Sequence, residues 1–94
     1  MNKQNFLKNY LSDLSNLILP DDDLINKLIE VSKLLISTKV ENKKILIFGN
    51  GGSTAIGSHF SVDLTKNAKL RCVNFNEADL ITCFANDYGF ERWV

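Results

Sequence analysis

Apolar residues recur at intervals of three and four through the first forty positions. Phe6, Leu7, Tyr10, Leu11, Leu14, Leu17 and Ile18 alternate with Lys8, Asn9, Ser12, Asp13 and Asn16, which predicts an amphipathic helix over 6–19. Pro20 breaks the pattern, and Asp21, Asp22 and Asp23 supply an N-cap and negative charge for the positive end of the next helix. That second helix carries Leu24, Leu28, Val31 and Leu35 on one face, widened by Ile25, Ile29 and Leu34, and fades near Thr38. A polar stretch from Val40 to Lys44 leads into Ile45, Leu46, Ile47 and Phe48, four apolar residues without alternation. Such a run predicts a strand covered on both faces, as in a parallel sheet.

Gly49, Asn50, Gly51, Gly52 and Ser53 follow at once and open a helix that extends to Lys66, with Ile56, Phe60 and Leu64 as its packing stripe. Leu70 to Phe75 reads as a second strand, so 45–75 form one βαβ unit whose crossover is expected to be right-handed. A fourth helix is predicted from about Asp79 to Ala85, opened by a weak capping box between Asn76 and Asp79. Asn86 and Asp87 then read as a helix C-cap followed by an N-cap. Two strands of the fully covered type leave an open edge and unfilled faces. The expectation is therefore the N-terminal part of a longer α/β domain, or one completed by another chain.

Length and charge narrow the function classes. Ninety-four residues suffice for one domain at most, and eleven basic residues balance eleven acidic ones, so no surface-wide positive field draws nucleic acid or anionic lipid. An apolar run of four is far short of the roughly 18 residues of a membrane span, and the start lacks a signal-peptide core. A soluble, cytoplasmic protein is expected. Cys72 and Cys83 stand eleven apart beside a single His, which indicates neither a disulfide scaffold nor a Cys/His zinc module, and both are expected to be buried, reduced thiols.

The glycine turn carries the candidate chemistry. Between a buried strand and a helix, glycines let backbone N–H groups approach an anion at the positive end of the helix dipole, and phosphate is the natural guest. The Lys of a nucleotide P-loop is missing, and a dinucleotide fingerprint would need glycine where Thr54 stands, so ATP is excluded and NAD is second-rate. A plain tight βα turn is the competing reading, against which Asn50 offers an amide for a ligand hydroxyl. His59 and Asp63, four apart on one helix, project together, either to hold a metal or move a proton or as an ordinary surface pair.

Taken in order, Gly49-Asn50-Gly51-Gly52-Ser53, His59-Phe60, Asp63-Leu64 and Ala85-Asn86-Asp87-Tyr88-Gly89-Phe90 resemble the sugar isomerase (SIS) domain of the sedoheptulose 7-phosphate isomerase (phosphoheptose isomerase) family. The resemblance spans the chain and about the first half of a family member. It implies a flavodoxin-like α/β/α sandwich with a parallel sheet, divided here into an N-terminal helical pair (1–40) and the first part of the SIS domain (41–94). It implies a homotetramer acting on a phosphosugar, with Asn50, Gly51, Gly52, Ser53, Asn86 and Asp87 as substrate contacts. His59 and Asp63 match zinc-ligand positions, and Asp63 also matches the acid/base. The family's usual residue there is Glu, so the carboxylate is withdrawn by roughly 1.5 Å, and misplacements of that order cost about a hundredfold in rate. Two functions follow from the resemblance: part of an aldose-ketose isomerase of sedoheptulose 7-phosphate, or a non-catalytic phosphosugar-binding or assembly module.

Overall fold

A computed structural model describes residues 2–94. It is a mixed α/β structure with the order α1 (Lys3–Leu17), α2 (Asp22–Val40), β1 (Ile45–Ile47), α3 (Gly52–Lys66), β2 (Cys72–Asn74), α4 (Ala78–Tyr88) and a 3-10 turn (Phe90–Arg92). The chain divides into two compact units, one ending at Ser32 and the other running Lys33–Val94.

In the first unit, local polar groups set the helix starts. Asn2 caps α1 by accepting the Gln4 N–H at 2.8 Å, which carries the helix three residues ahead of its apolar pattern. Asp21 caps α2 as expected, its Oδ1 accepting the N–H groups of Asp23 and Leu24 at 2.8 and 3.3 Å. No described residue of α1 or α2 is buried: Leu7, Leu11 and Leu14 of α1 and Leu24 and Leu28 of α2 are exposed, and Leu35 is half-buried.

The second unit begins within α2, which closes in a Schellman motif. Lys43 N–H reaches Thr38 O at 2.8 Å, Asn42 N–H reaches Lys39 O at 3.1 Å, and Asn42 takes the left-handed φ of 55° that this ending requires. Arg71 donates from Nη1 to the Asn42 carbonyl at 2.8 Å and to its Oδ1 at 3.0 Å, tying that ending to the chain just before β2. The two strands then pair in parallel, with Ile45 opposite Cys72, Leu46 opposite Val73 and Ile47 opposite Asn74.

Two expectations about this unit are corrected. The strands are covered on one face only: Leu46 and Val73 on the alternate face are exposed. Of the stripe Ile56, Phe60 and Leu64 expected to pack α3, only Leu64 is buried. Ile56 is 74% exposed and Phe60 48%, whereas Ser61 and Leu64 are buried. Gly57 belongs to the packed face as well, because a Cβ there would lie 2.9 Å from Cγ2 of Ile47. Small residues let α3 settle close to β1, and the larger apolar side chains are left outside.

Two further corrections concern α4 and the thiols. Helix α4 takes Glu77 as its N-cap without a side-chain bond, so no capping box forms: Asp79 accepts its neighbour Leu80 N–H at 3.0 Å, and Asn76 is engaged elsewhere. The helix continues through Asn86 and Asp87 and stops at Gly89, whose φ of 95° suits only glycine. Asn86 and Asp87 therefore form its last turn rather than a pair of caps. Both cysteines are free as expected, but Cys72 is only half-buried and Cys83 is exposed. Among the described residues, no helix is long and apolar enough to cross a membrane.

Candidate functional site

The turn after β1 is shaped by glycines with different duties. A Cβ on Gly49 would lie 2.8 Å from Ser53 C, Ser53 O and Thr54 N, so only glycine lets the strand end sit beneath the first turn of α3. Gly51 caps α3 with φ 57° and ψ −128°, a conformation open to glycine and strained for other residues. Gly52 has neither constraint: its φ is not positive and a Cβ would meet nothing within 4 Å. Ser53 N–H and Thr54 N–H turn back to the carbonyls of Asn50 and Gly51, at 3.2 and 3.1 Å.

Above this turn lies an open cleft of about 390 Å³. The turn and α3 contribute Asn50, Gly51, Thr54 and Ala55, and the chain after β2 contributes Asn76, Ile81 and Phe90. The cleft thus opens beyond the carboxyl ends of parallel strands, where α/β folds place their ligands. Its polar wall is held by a side-chain chain. Asn76 Nδ2 donates to Ser58 Oγ at 3.2 Å, Asn74 Nδ2 to Ser61 Oγ at 3.0 Å, and Ser61 Oγ to the Ser58 carbonyl at 2.8 Å. Asn74 Oδ1 in turn accepts the Asn76 N–H at 3.1 Å. Beside the turn, Phe48 stacks on Phe75 with ring centres 4.7 Å apart and lies 6.1 Å from the ring of buried Trp93. The Trp93 indole N–H donates to Asn50 Oδ1 at 2.9 Å.

Asn50 and Gly51 line the cleft, and Gly52 and Ser53 adjoin it in the first turn of α3. His59 and Asp63 share one face of α3, with His59 Nε2 3.7 Å from Asp63 Oδ2, too long for a hydrogen bond and open to solvent. They follow Ala55 along its i, i+4 ridge but are not part of the cleft wall. Asn86 and Asp87 are also outside the cleft: Asn86 Nδ2 donates to Asp87 Oδ1 at 3.2 Å, and the Cys83 thiol approaches Asp87 Oδ2 at 3.7 Å. A zinc ion needs three or four protein ligands. His59 and Asp63 supply two, and no cluster of three His, Cys, Asp or Glu occurs among the described residues, so these residues do not by themselves make a zinc site.

The sequence did not place Asn76, Phe90 or Trp93 at the site: Asn76 reads there as a helix cap and Phe90 only as the end of the family motif. Asn74 and Asn76 were legible as amides leaving the end of a parallel strand, the ligand-facing end of such sheets. Trp93 carried no local signal, since its contact with Asn50 spans 43 positions.

No protein-family model matches the chain. It is similar to curated proteins named phosphoheptose isomerase. That of Geotalea uraniireducens is 32% identical over 76 residues, covering 74% of this chain and 40% of that protein. That of Helicobacter pylori strain 26695 is 42% identical over 65 residues, covering 63% and 34%. That of Aliarcobacter butzleri is 28% identical over 96 residues, covering 96% and 51%. The chain thus spans between a third and a half of the length of these relatives.

Proposed function

We propose that this chain is part of a phosphosugar aldose-ketose isomerase and that the cleft over its glycine turn receives the phosphosugar, sedoheptulose 7-phosphate in particular. The observation that carries this reading is the glycine turn under an open cleft in a chain similar to proteins named phosphoheptose isomerase. Gly51 and Gly52 keep side chains off the turn, so a ligand oxygen approaches the backbone closely. Asn50 offers its amide and Ser53 a hydroxyl beside it, while Asn86 and Asp87, outside the cleft wall, belong to a wider site completed by the length of the relatives that the match does not span. The chemistry is proton transfer beside a carbonyl: Asp63 takes a proton from C1 to give an enediolate and delivers it to C2, while the C1 hydroxyl proton passes to the C2 oxygen, with His59 nearby on the same face to relay it. No step is assigned to zinc, for which this chain supplies two donors only. The same reading places the protein in the cytoplasm as a homo-oligomer, a tetramer in its complete form.

Titration with sedoheptulose 7-phosphate tests the site. Gly52→Val adds bulk at an unstrained position with open space, so a loss of affinity of tenfold or more is expected without loss of fold. Unchanged affinity in that variant removes the turn from the binding site. Turnover in the full-length protein tests the chemistry: Asp63→Asn abolishes isomerisation with binding largely kept, and Asp63→Glu preserves or raises it. The positions of His59 and Asp63 outside the cleft favour a second reading, a binding or assembly module. Binding without isomerisation in both wild type and Asp63→Glu would select it.

A further inference from the structure

We infer that Trp93 is a positioning residue for the cleft, holding the Asn50 carboxamide so that it presents a hydrogen-bond donor to the ligand. The inference rests on the phosphosugar reading of the same cleft. Indole Nε1–H donates and never accepts, so the amide atom 2.9 Å from it is necessarily the oxygen. The donor group of Asn50 is then its NH₂, turned away from the indole on a residue that lines the cleft. An unrestrained asparagine offers either oxygen or NH₂ by rotating its terminal amide. With Oδ1 held by Trp93 the amide cannot flip, so its NH₂ keeps one direction and favours ligand atoms that accept: phosphate, carbonyl or hydroxyl oxygens.

The support for Trp93 is independent of any ligand. Trp93 is 5% exposed, and its ring abuts Phe48, which is itself stacked on Phe75 at an interplanar angle of 5°. Phe48 directly precedes Gly49 and Phe75 directly precedes Asn76, so the aromatic cluster braces the two chain segments that contribute Asn50 and Asn76 to the cleft. A donor fixed in this way loses less freedom when a ligand binds, which favours affinity.

Trp93→Phe in the full-length protein keeps an aromatic ring and removes the donor. Affinity for sedoheptulose 7-phosphate is expected to fall roughly three- to tenfold, the worth of one oriented hydrogen bond. Because Trp93 acts through Asn50, the double variant Trp93→Phe/Asn50→Ala should bind no more weakly than Asn50→Ala alone. Wild-type affinity in Trp93→Phe, or losses that add in the double variant, overturns the inference and leaves the phosphosugar site standing. A wild-type protein that does not bind the sugar phosphate overturns that reading, and the inference with it. Should Trp93→Phe fail to fold, hydrogen exchange at the wild-type indole decides: protection that disappears in Asn50→Ala supports the contact, and equal exchange in both proteins overturns it.

Discussion

A methyl group added to Gly49 would meet backbone atoms of Ser53 and Thr54 at 2.8 Å, and backbone cannot swing aside as a side-chain tip can. Gly49→Ala is expected to destabilise the protein by about 1–3 kcal/mol, the usual scale of forced overpacking. Gly52→Ala meets no neighbour and should be neutral or stabilising by up to about 1 kcal/mol, through reduced freedom of the unfolded chain. Urea denaturation of the two variants checks the contrast, and a similar loss in both would contradict the turn geometry. The two thiols provide a second contrast. Burial pushes the Cys72 thiol above its ordinary range, so folding favours its protonated form. That contribution is present at pH below the unfolded value and is lost as pH rises through the raised folded value. At mildly alkaline pH, alkylation followed by mass spectrometry should mark exposed Cys83 before Cys72, and equal rates would contradict the burial of Cys72.

Helix α3 shows which part of the fold was legible in the amino-acid pattern. Its existence, its glycine turn and its place between two parallel strands follow from apolar runs and punctuation, signals that are local. Its packed face does not, because hydrophobic periodicity weighs Ile56 and Phe60 heavily and Gly57 and Ser61 hardly at all. The fold uses the small residues for close approach, and buried Ser61 is satisfied by accepting from Asn74 and donating to the Ser58 carbonyl. Leu64 is the large apolar residue of that face, so Leu64→Ala should cost about 2–3 kcal/mol, while Ile56→Ala should stay within about 0.5 kcal/mol. Thermal unfolding of both checks the assignment. The candidate site divides the same way. Asn50 and Gly51 were recognisable within five consecutive positions, whereas Asn76 and Trp93 reach the cleft or its turn only through long-range contacts. The reading of Asn86 and Asp87 as caps failed for another reason: Gly89, three positions beyond Asn86, is a stronger helix stop.

Among the described residues, the buried apolar side chains are those of Leu64, Leu70 and Trp93, all in the unit Lys33–Val94. The helices α1 and α2 present Leu7, Leu11, Leu14, Leu24 and Leu28 to solvent, a burden that favours association. The isolated chain is expected to self-associate at micromolar concentration, and sedimentation showing a monomer with cooperative unfolding would count against this. The sole tryptophan, Trp93, also gives the protein an intrinsic fluorophore confined to one unit. Its emission follows the loss of the aromatic cluster in Lys33–Val94, whereas far-ultraviolet circular dichroism also registers α1 and the first part of α2. Superimposable denaturation curves from the two signals would mean that the units melt as one, and a dichroism change that precedes the fluorescence change would mean that the N-terminal helices melt first. Because the same indole donates to Asn50, its emission also reports optically on the wall of the cleft, without any attached label.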